Sequence, residues 1–201
     1  MNLQEKCSVL YFHKQCLQES GKGTSGALGW TEETSQQMRF AVLSGIANLN
    51  ETSILDLGCG YGHLKSYLDS KYRNISYTGI DFMPEFIELA QKTHGNESHT
   101  TFIAKDFSEG ELPVADYILA SGVFCYRSSD EKYYTNLISR MFGACKKGIG
   151  FNMLNIDKFP ASGFLKAHGI KTTEDFCKEL SSNVVVRNDY LPEDFTIFMY
   201  K

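Results

Sequence analysis

The chain has 201 residues, 42% of them hydrophobic and 13% aromatic, and a net charge of −4. That length favours one domain, with apolar residues enough for a substantial core. No Lys/Arg run is long enough to track phosphates, which weighs against a nucleic-acid partner. The N-terminus lacks an apolar h-region, and no window reaches the ~18 consecutive apolar residues of a membrane span.

The cysteines Cys7, Cys16, Cys59, Cys125, Cys145 and Cys177 are scattered, with no C-x-x-C pair. Free thiols of this kind suit a reducing, cytoplasmic setting rather than a disulfide framework. No cluster of His, Asp and Glu has metal spacing, so no metal is expected.

Residues 3 to 18 predict a first helix, with Leu3, Cys7, Leu10 and Tyr11 recurring at helical spacing. Three glycines between Gly21 and Gly26 predict a flexible connector. Thr31 is placed to cap a second helix, with Glu32 and Glu33 in its first turn and Met38, Val42 and Ile46 as its buried stripe. These pieces precede the first strand and read as a helical cap, residues 1–50, over a core of residues 51–201.

The core then alternates. Strands are expected at about 53–57, 76–80, 101–104, 117–120 and 148–154. Helices are expected at about 62–70, from Pro84, after a Ser128/Glu131 capping box and near 173–181, with Gly143 ending the third. Alternation implies parallel strands with helices on both faces. The last two strands, Val184–Arg187 and Phe195–Tyr200, are joined by about seven residues including Pro192. A parallel crossover needs a dozen or more, so they must form an antiparallel hairpin. The expected fold is therefore α/β: a doubly wound, mostly parallel seven-stranded sheet with a C-terminal antiparallel hairpin and an N-terminal helical cap.

The stretch Ile54-Leu55-Asp56-Leu57-Gly58-Cys59-Gly60-Tyr61-Gly62 organises this core. A strand runs into a turn whose glycines can take positive φ and admit a ligand against bare N–H groups. Asp81 follows 19 positions after Gly62, at the tip of the second strand. A glycine-rich first turn with an acid about 20 residues later is suited to gripping a ribose. A dinucleotide dehydrogenase would carry G-x-G-x-x-G, but here His63 stands where its last glycine should be.

The D-x-G-x-G-x-G form with Asp56 leading instead resembles motif I of the class I S-adenosylmethionine (SAM)-dependent methyltransferases, and the terminal hairpin agrees with that family. The resemblance implies SAM as cofactor and S-adenosylhomocysteine (SAH) as product. It implies that Gly58, Gly60 and Gly62 pass close to the methionine and ribose, with Asp56 near the methionine amino group. Asp81 would accept both ribose hydroxyls, Phe82 and Met83 would pack on adenine, Asp106 would accept from the adenine amino group, and Phe107 would flank the ring.

Ser121 and Gly122 follow the fourth strand and, by position, should flank the methyl group. The segment to Arg127 lacks the N/D-P-P-Y/F and Pro-Cys hallmarks of nucleobase methylation. In the cap, Tyr11 and Trp30 are candidates to close over the site, and Arg39 to pair with the SAM carboxylate. His13, Tyr126 and Asn152 are the candidate catalytic groups, with Asn155 and Asp157 as further candidates to hold an acceptor. The expected activity is methyl transfer to an oxygen or nitrogen of a small molecule. A macromolecular acceptor, a non-catalytic SAM-binding partner subunit and an aminopropyl transferase are the rivals.

Overall fold

Strand periodicity divides the core. In β1 (Ser53–Leu57), Leu55 and Leu57 point into one apolar cluster, while Ile54 points into another on the opposite face. The computed structural model describes residues 1–201 except Thr31, so the expected cap at that residue lies outside the described residues.

The N-terminal helix α1 (Leu3–Ser20) is started by Asn2, whose side chain accepts from the Glu5 N–H while the Glu5 carboxylate accepts from the Asn2 N–H, both at 2.9 Å. Its inward face is Val9 and His13, flanked by Leu10 and Leu17. Leu3 is 78% and Tyr11 64% exposed. The expected stripe is thus rotated around the helix, because the chain buries His13 in place of Tyr11.

The glycine connector runs as exposed turns and leads into a 3-10 turn, Gly26–Leu28, whose Ala27 is wholly buried with its N–H held by the Thr24 hydroxyl. In α2 (Glu33–Ser44) the buried face is Gln36, Phe40, Leu43 and Ser44 rather than Met38, Val42 and Ile46. Met38 is exposed, and Ile46 is buried beyond the helix end.

The core continues as α3 (His63–Asp69), β2 (Ser76–Asp81), α4 (Pro84–His94), β3 (Thr100–Ala104), β4 (Ala115–Ala120), α5 (Tyr133–Ala144) and β5 (Cys145–Asn155). A two-residue strand β6 (Ala167–His168), α6 (Ile170–Leu180), β7 (Asn183–Arg187) and β8 (Asp194–Tyr200) complete it. The strand order is β3-β2-β1-β4-β5-β8-β7, with β6 added to β5. The strand pairings are parallel except those of β8, which runs antiparallel to β5 and β7. The doubly wound sheet and terminal hairpin therefore stand as expected.

Three local expectations fail. No capping box starts α5. Ser128 Oγ instead accepts from the Asp130 N–H and Asp130 from the Lys132 N–H, building a turn ahead of the helix. Gly143 lies inside α5, and α6 starts earlier than expected. No described helix is long and apolar enough to cross a membrane.

On one face of the sheet Phe151, Ile118, Phe195 and Ile149 meet Leu137, Ile138 and Met141 of α5. On the other, Phe40 and Leu43 of α2 join Leu64, Leu68 and Ile87. α1 and the 3-10 turn lie elsewhere, packed with Tyr61, Met83 and Phe86 at the carboxyl ends of β1 and β2. The order reverses at β1, whose neighbours are β2 and β4, so a crevice opens beyond its end.

Arg39 serves this architecture. Its guanidinium bonds Asp194 at 2.6 Å and stacks over the Trp30 ring, 4.4 Å from the centroid. Asp194 is only 2% exposed, so removing its partner strands a buried carboxylate. Arg39→Ala is expected to cost about 3–5 kcal/mol of stability, and Asp194→Asn in the same chain to restore part of it. Urea unfolding of the two variants checks this.

Candidate functional site

The turn after β1 is held by β2. The Gly58 and Cys59 N–H groups donate to the Ile80 carbonyl at 2.8 and 3.1 Å, and Gly60 N–H donates to Asp81 Oδ2 at 2.9 Å. Gly58 and Gly60 have φ of +73° and +54°. A Cβ on Gly58 would lie 2.6 Å from Val123, and one on Gly60 would lie 2.8 Å from Leu28. Both positions therefore need glycine for conformation and for space. Gly62 also has positive φ, but it abuts Phe102 and His94 and lies off the cavity lining. Its work is to let α3 start close against the sheet.

The crevice is a cavity with about 960 Å³ of empty space counted out to its mouth. Asp56, Gly58, Gly60, Asp81, Phe82, Asp106, Phe107 and Ser121 all line it. The structure thus brings together most of the expected cofactor residues from four separate strand ends. Met83 is the exception on that side: it is fully buried behind the lining, packed with Tyr61 and against Phe86.

Two carboxylates sit deep in this cavity. Asp81 Oδ2 takes Gly60 N–H and Oδ1 takes Met83 N–H, each at 2.9 Å. Burial pushes Asp81 up to about 6, against the pull of the backbone N–H groups. Asp56 accepts from the Tyr77 hydroxyl. Burial pushes it up to about 7, with Asp81 nearby adding to the rise and the Tyr77 bond opposing it.

Asp106 is held otherwise. Burial would raise its pKa, but Lys6 at 2.7 Å and the Ser108 N–H at 2.8 Å outweigh that, and it is lowered. Lys6 comes from α1 and is also bonded to Glu109. Arg140 of α5 donates to the Phe107 and Ser108 carbonyls at 3.1 and 2.8 Å, fixing the loop that carries Asp106 and Phe107.

α1 covers the cavity. Lys6, Val9 and His13 face into it, and Glu5 takes the Ser129 N–H at 2.6 Å, tying the helix to the segment after β4. His13 Nε2 and Tyr126 Oη lie 2.8 Å apart, and both residues line the cavity. Burial pushes His13 down to about 4 and Tyr126 well up, so both are neutral near pH 7. Trp30 also lines the cavity, with its ring edge against Gly122.

Five candidates are placed elsewhere. Tyr11 points away from the cavity into a shallow groove with Phe12 and Phe164, because it is on the outer face of α1. Arg39 is held by Asp194 behind Trp30 and does not line the cavity. Asn152 is buried off the lining, its amide bonded to Thr196 Oγ1 at 2.7 Å. Asn155 and Asp157 are also off the lining; the Asn155 side chain accepts from the Asp157 N–H.

Sequence reasoning missed Lys6, Gln36 and His63. Gln36, one turn before Arg39, is 2% exposed and lines the cavity together with His63 beside the glycine turn. The motif marks His63 only as the residue standing where a dehydrogenase has its last glycine, and nothing in the spacing marks Gln36.

A sulfonium- and ammonium-bearing nucleoside fits these residues. Two buried carboxylates lie where cationic groups would relieve their burial, and the glycine turn leaves backbone room. The buried Ser121 hydroxyl, on the lining, has no protein partner among the described residues, as expected of a polar lining shaped for a ligand.

Comparison with known proteins agrees. A family profile described as "Methyltransferase domain" matches residues 55–148. A Mycobacterium tuberculosis protein named as a methyltransferase is 33% identical over 157 residues, which is 74% of this chain and 93% of that protein. A malonyl-[acyl-carrier protein] O-methyltransferase of Anoxybacillus flavithermus is 28% identical over 103 residues, covering 51% of this chain but only 39% of its own. The magnesium protoporphyrin IX methyltransferase of Synechocystis with bound SAM superimposes with a TM-score of 0.71 at 13% identity, over all of both chains. The N-methyltransferase NodS of Bradyrhizobium japonicum with SAH does so with 0.71 at 16%, over 95% of this chain and 97% of that one.

The raised carboxyls have a consequence for the ligand-free protein. Asp56 keeps its proton to about pH 7 when folded, against an ordinary value of 3.8. Between those values the folded state binds more protons, so stability is full below the unfolded value and is lost as pH rises through about 7. Asp56→Asn is expected to flatten that fall. The urea midpoint of both proteins, followed from acid to neutral pH without ligand, checks it.

Proposed function

The chain belongs to the class I SAM-dependent methyltransferases, and from that membership we propose that it methylates an oxygen or nitrogen of a small molecule. SAM is its cofactor and SAH the product. When bound, SAM supplies a methyl group that is already electrophilic on its sulfonium.

In this reading the chain's own residues bind, orient and exclude water. Asp81, held open by two backbone N–H groups, takes the ribose hydroxyls. Phe82 and Phe107 flank the base, and Asp106 waits at its edge. Gly58 and Gly60 admit the chain of atoms between ribose and methionine. Asp56 lies near the ammonium group, and Gln36 and His63 take over the role expected of Arg39 towards the carboxylate. The reacting group then faces Ser121, Trp30, His13 and Tyr126. Aligning an acceptor with it in a closed cavity is worth up to ~7–11 kcal/mol.

The observation that carries the small-molecule reading is the cover. α1 lies across the cavity and is fastened at Glu5, Lys6 and His13. A space covered by a helix suits a small acceptor better than a folded chain or a duplex. Its Trp30, Tyr126, Val123 and Phe86 surfaces suit a compact, largely apolar acceptor.

Methyl-labelled SAM with cell extract tests this reading. Label is expected in the small-molecule fraction after separation by size. Label confined to protein or RNA would sink it, and SAM binding without label anywhere would identify a non-catalytic binder.

Asp81→Asn is expected to weaken SAH at least tenfold in calorimetry. The two hydroxyl bonds to an ionised acceptor are worth about 1.5–3 kcal/mol each. NAD should not bind the wild type.

A further inference from the structure

Methylating a hydroxyl leaves one task that the cofactor cannot do: the acceptor oxygen must lose its proton. Three carboxylates line the cavity, and all are engaged. Asp56 is bonded to Tyr77, Asp81 to two backbone N–H groups, and Asp106 to Lys6 and the Ser108 N–H. Lys6 is the only Lys or Arg on the described lining, and it is paired twice.

Among the bonds between α1 and the segment after β4, the one between His13 Nε2 and Tyr126 Oη, 2.8 Å apart, joins two residues that both line the cavity. The pair is rigidly seated. The His13 ring packs edge-on against Phe86 and Phe12, and Tyr126 packs against Phe164. A backbone bridge between Tyr126 and Leu165 fixes the segment.

The tautomer gives the pair a direction. The Ala27 carbonyl faces the ring, although Nδ1 finds no partner at full hydrogen-bond geometry. A carbonyl there favours the imidazole proton on Nδ1. Nε2 is then the acceptor and the Tyr126 hydroxyl the donor. The phenol oxygen keeps lone pairs free to take a hydrogen bond from a second hydroxyl in the cavity. Burial keeps the imidazole neutral and the phenol protonated, the states this arrangement needs.

We propose that Tyr126 is a catalytic residue that meets the acceptor's hydroxyl, and that His13 is the partner that positions it and receives the proton. The acceptor is an alcohol or phenol, and the Trp30, Phe86 and Val123 surfaces beside the pair favour an uncharged one. This rests on the small-molecule reading above. As the acceptor oxygen forms its bond to the methyl carbon, the carbon–sulfur electron pair stays on sulfur. The acceptor's proton passes to Tyr126 Oη while the phenol proton passes to His13 Nε2. Solvent recovers that proton when α1 lifts for product release.

Phenol is the probe for a test in two parts. In the SAH complex, where no methyl is present, ¹⁵N NMR of the His13 ring is expected to shift when phenol is added and not when anisole is added. Tyr126→Phe should abolish that response. In the second part, SAH formation from SAM with phenol as acceptor is followed. Tyr126→Phe and His13→Gln should lower kcat by roughly 10²–10⁴-fold. KM for phenol and Kd for SAH should stay within about threefold in both variants, an unchanged Kd also reporting that they fold.

Wild-type turnover in both variants, or a His13 signal indifferent to phenol, overturns the pair. Methylation of aniline but never phenol overturns the hydroxyl acceptor and leaves the small-molecule reading standing. Methylation confined to protein or RNA overturns both.

Discussion

The Asp81 carboxylate, shared between two backbone N–H groups, is the contact on which the site depends. One oxygen holds Gly60 in the turn after β1, and the other holds Met83 at the start of α4. Two loops from neighbouring strands are therefore fixed to each other by a single buried group. A bond to a charged acceptor is worth about 1.5–3 kcal/mol in such a setting. The burial that makes these bonds strong also raises the carboxyl's pKa, so its charge is one that a cationic, hydroxyl-bearing ligand would stabilise.

Around that contact the molecule separates anchoring from covering. The parallel strands set Asp56, Asp81, Phe107 and Ser121 in one row because each stands at or just beyond a carboxyl end. The cover is a different kind of structure. α1 reaches the core through polar fasteners at Glu5, Lys6 and His13, and through the small apolar cluster of Ala27, Tyr61, Met83 and Phe86. A cover attached mainly by hydrogen bonds and ion pairs can be released without opening the main core.

Charge is also divided by task. Arg39 and Asp194 form a buried pair that braces Trp30 from behind. The cavity in front of Trp30 thereby presents an indole face where a guanidinium would otherwise attract anions. Lys6 and Asp106 likewise neutralise each other at the far end. What remains at the reacting end is neutral and aromatic, with the His13–Tyr126 bond as its polar feature.

Patterning along the chain sets the mostly parallel sheet, the terminal hairpin and the glycine turn with Asp56 and Asp81. These depend on local chemistry: period-two apolar runs, a link too short for a crossover, and glycines at fixed spacing before an acid. The placement of side chains on the cover was decided only by tertiary structure. α1 carries polar and apolar residues on every side, so its own pattern could not say that His13 faces inward and Tyr11 outward. Arg39 and Gln36 are on the same helix, less than one turn apart. Which of them met the cavity depended on Asp194, a residue far along the chain that drew Arg39 away from it. Gly62 and Met83 fit the motif in spacing, yet packing against Phe102 and Phe86 placed them below the lining. Spacing along a chain specifies which residues can arrive at a strand end. Only the packing of distant elements decides which of their atoms face the space that forms there.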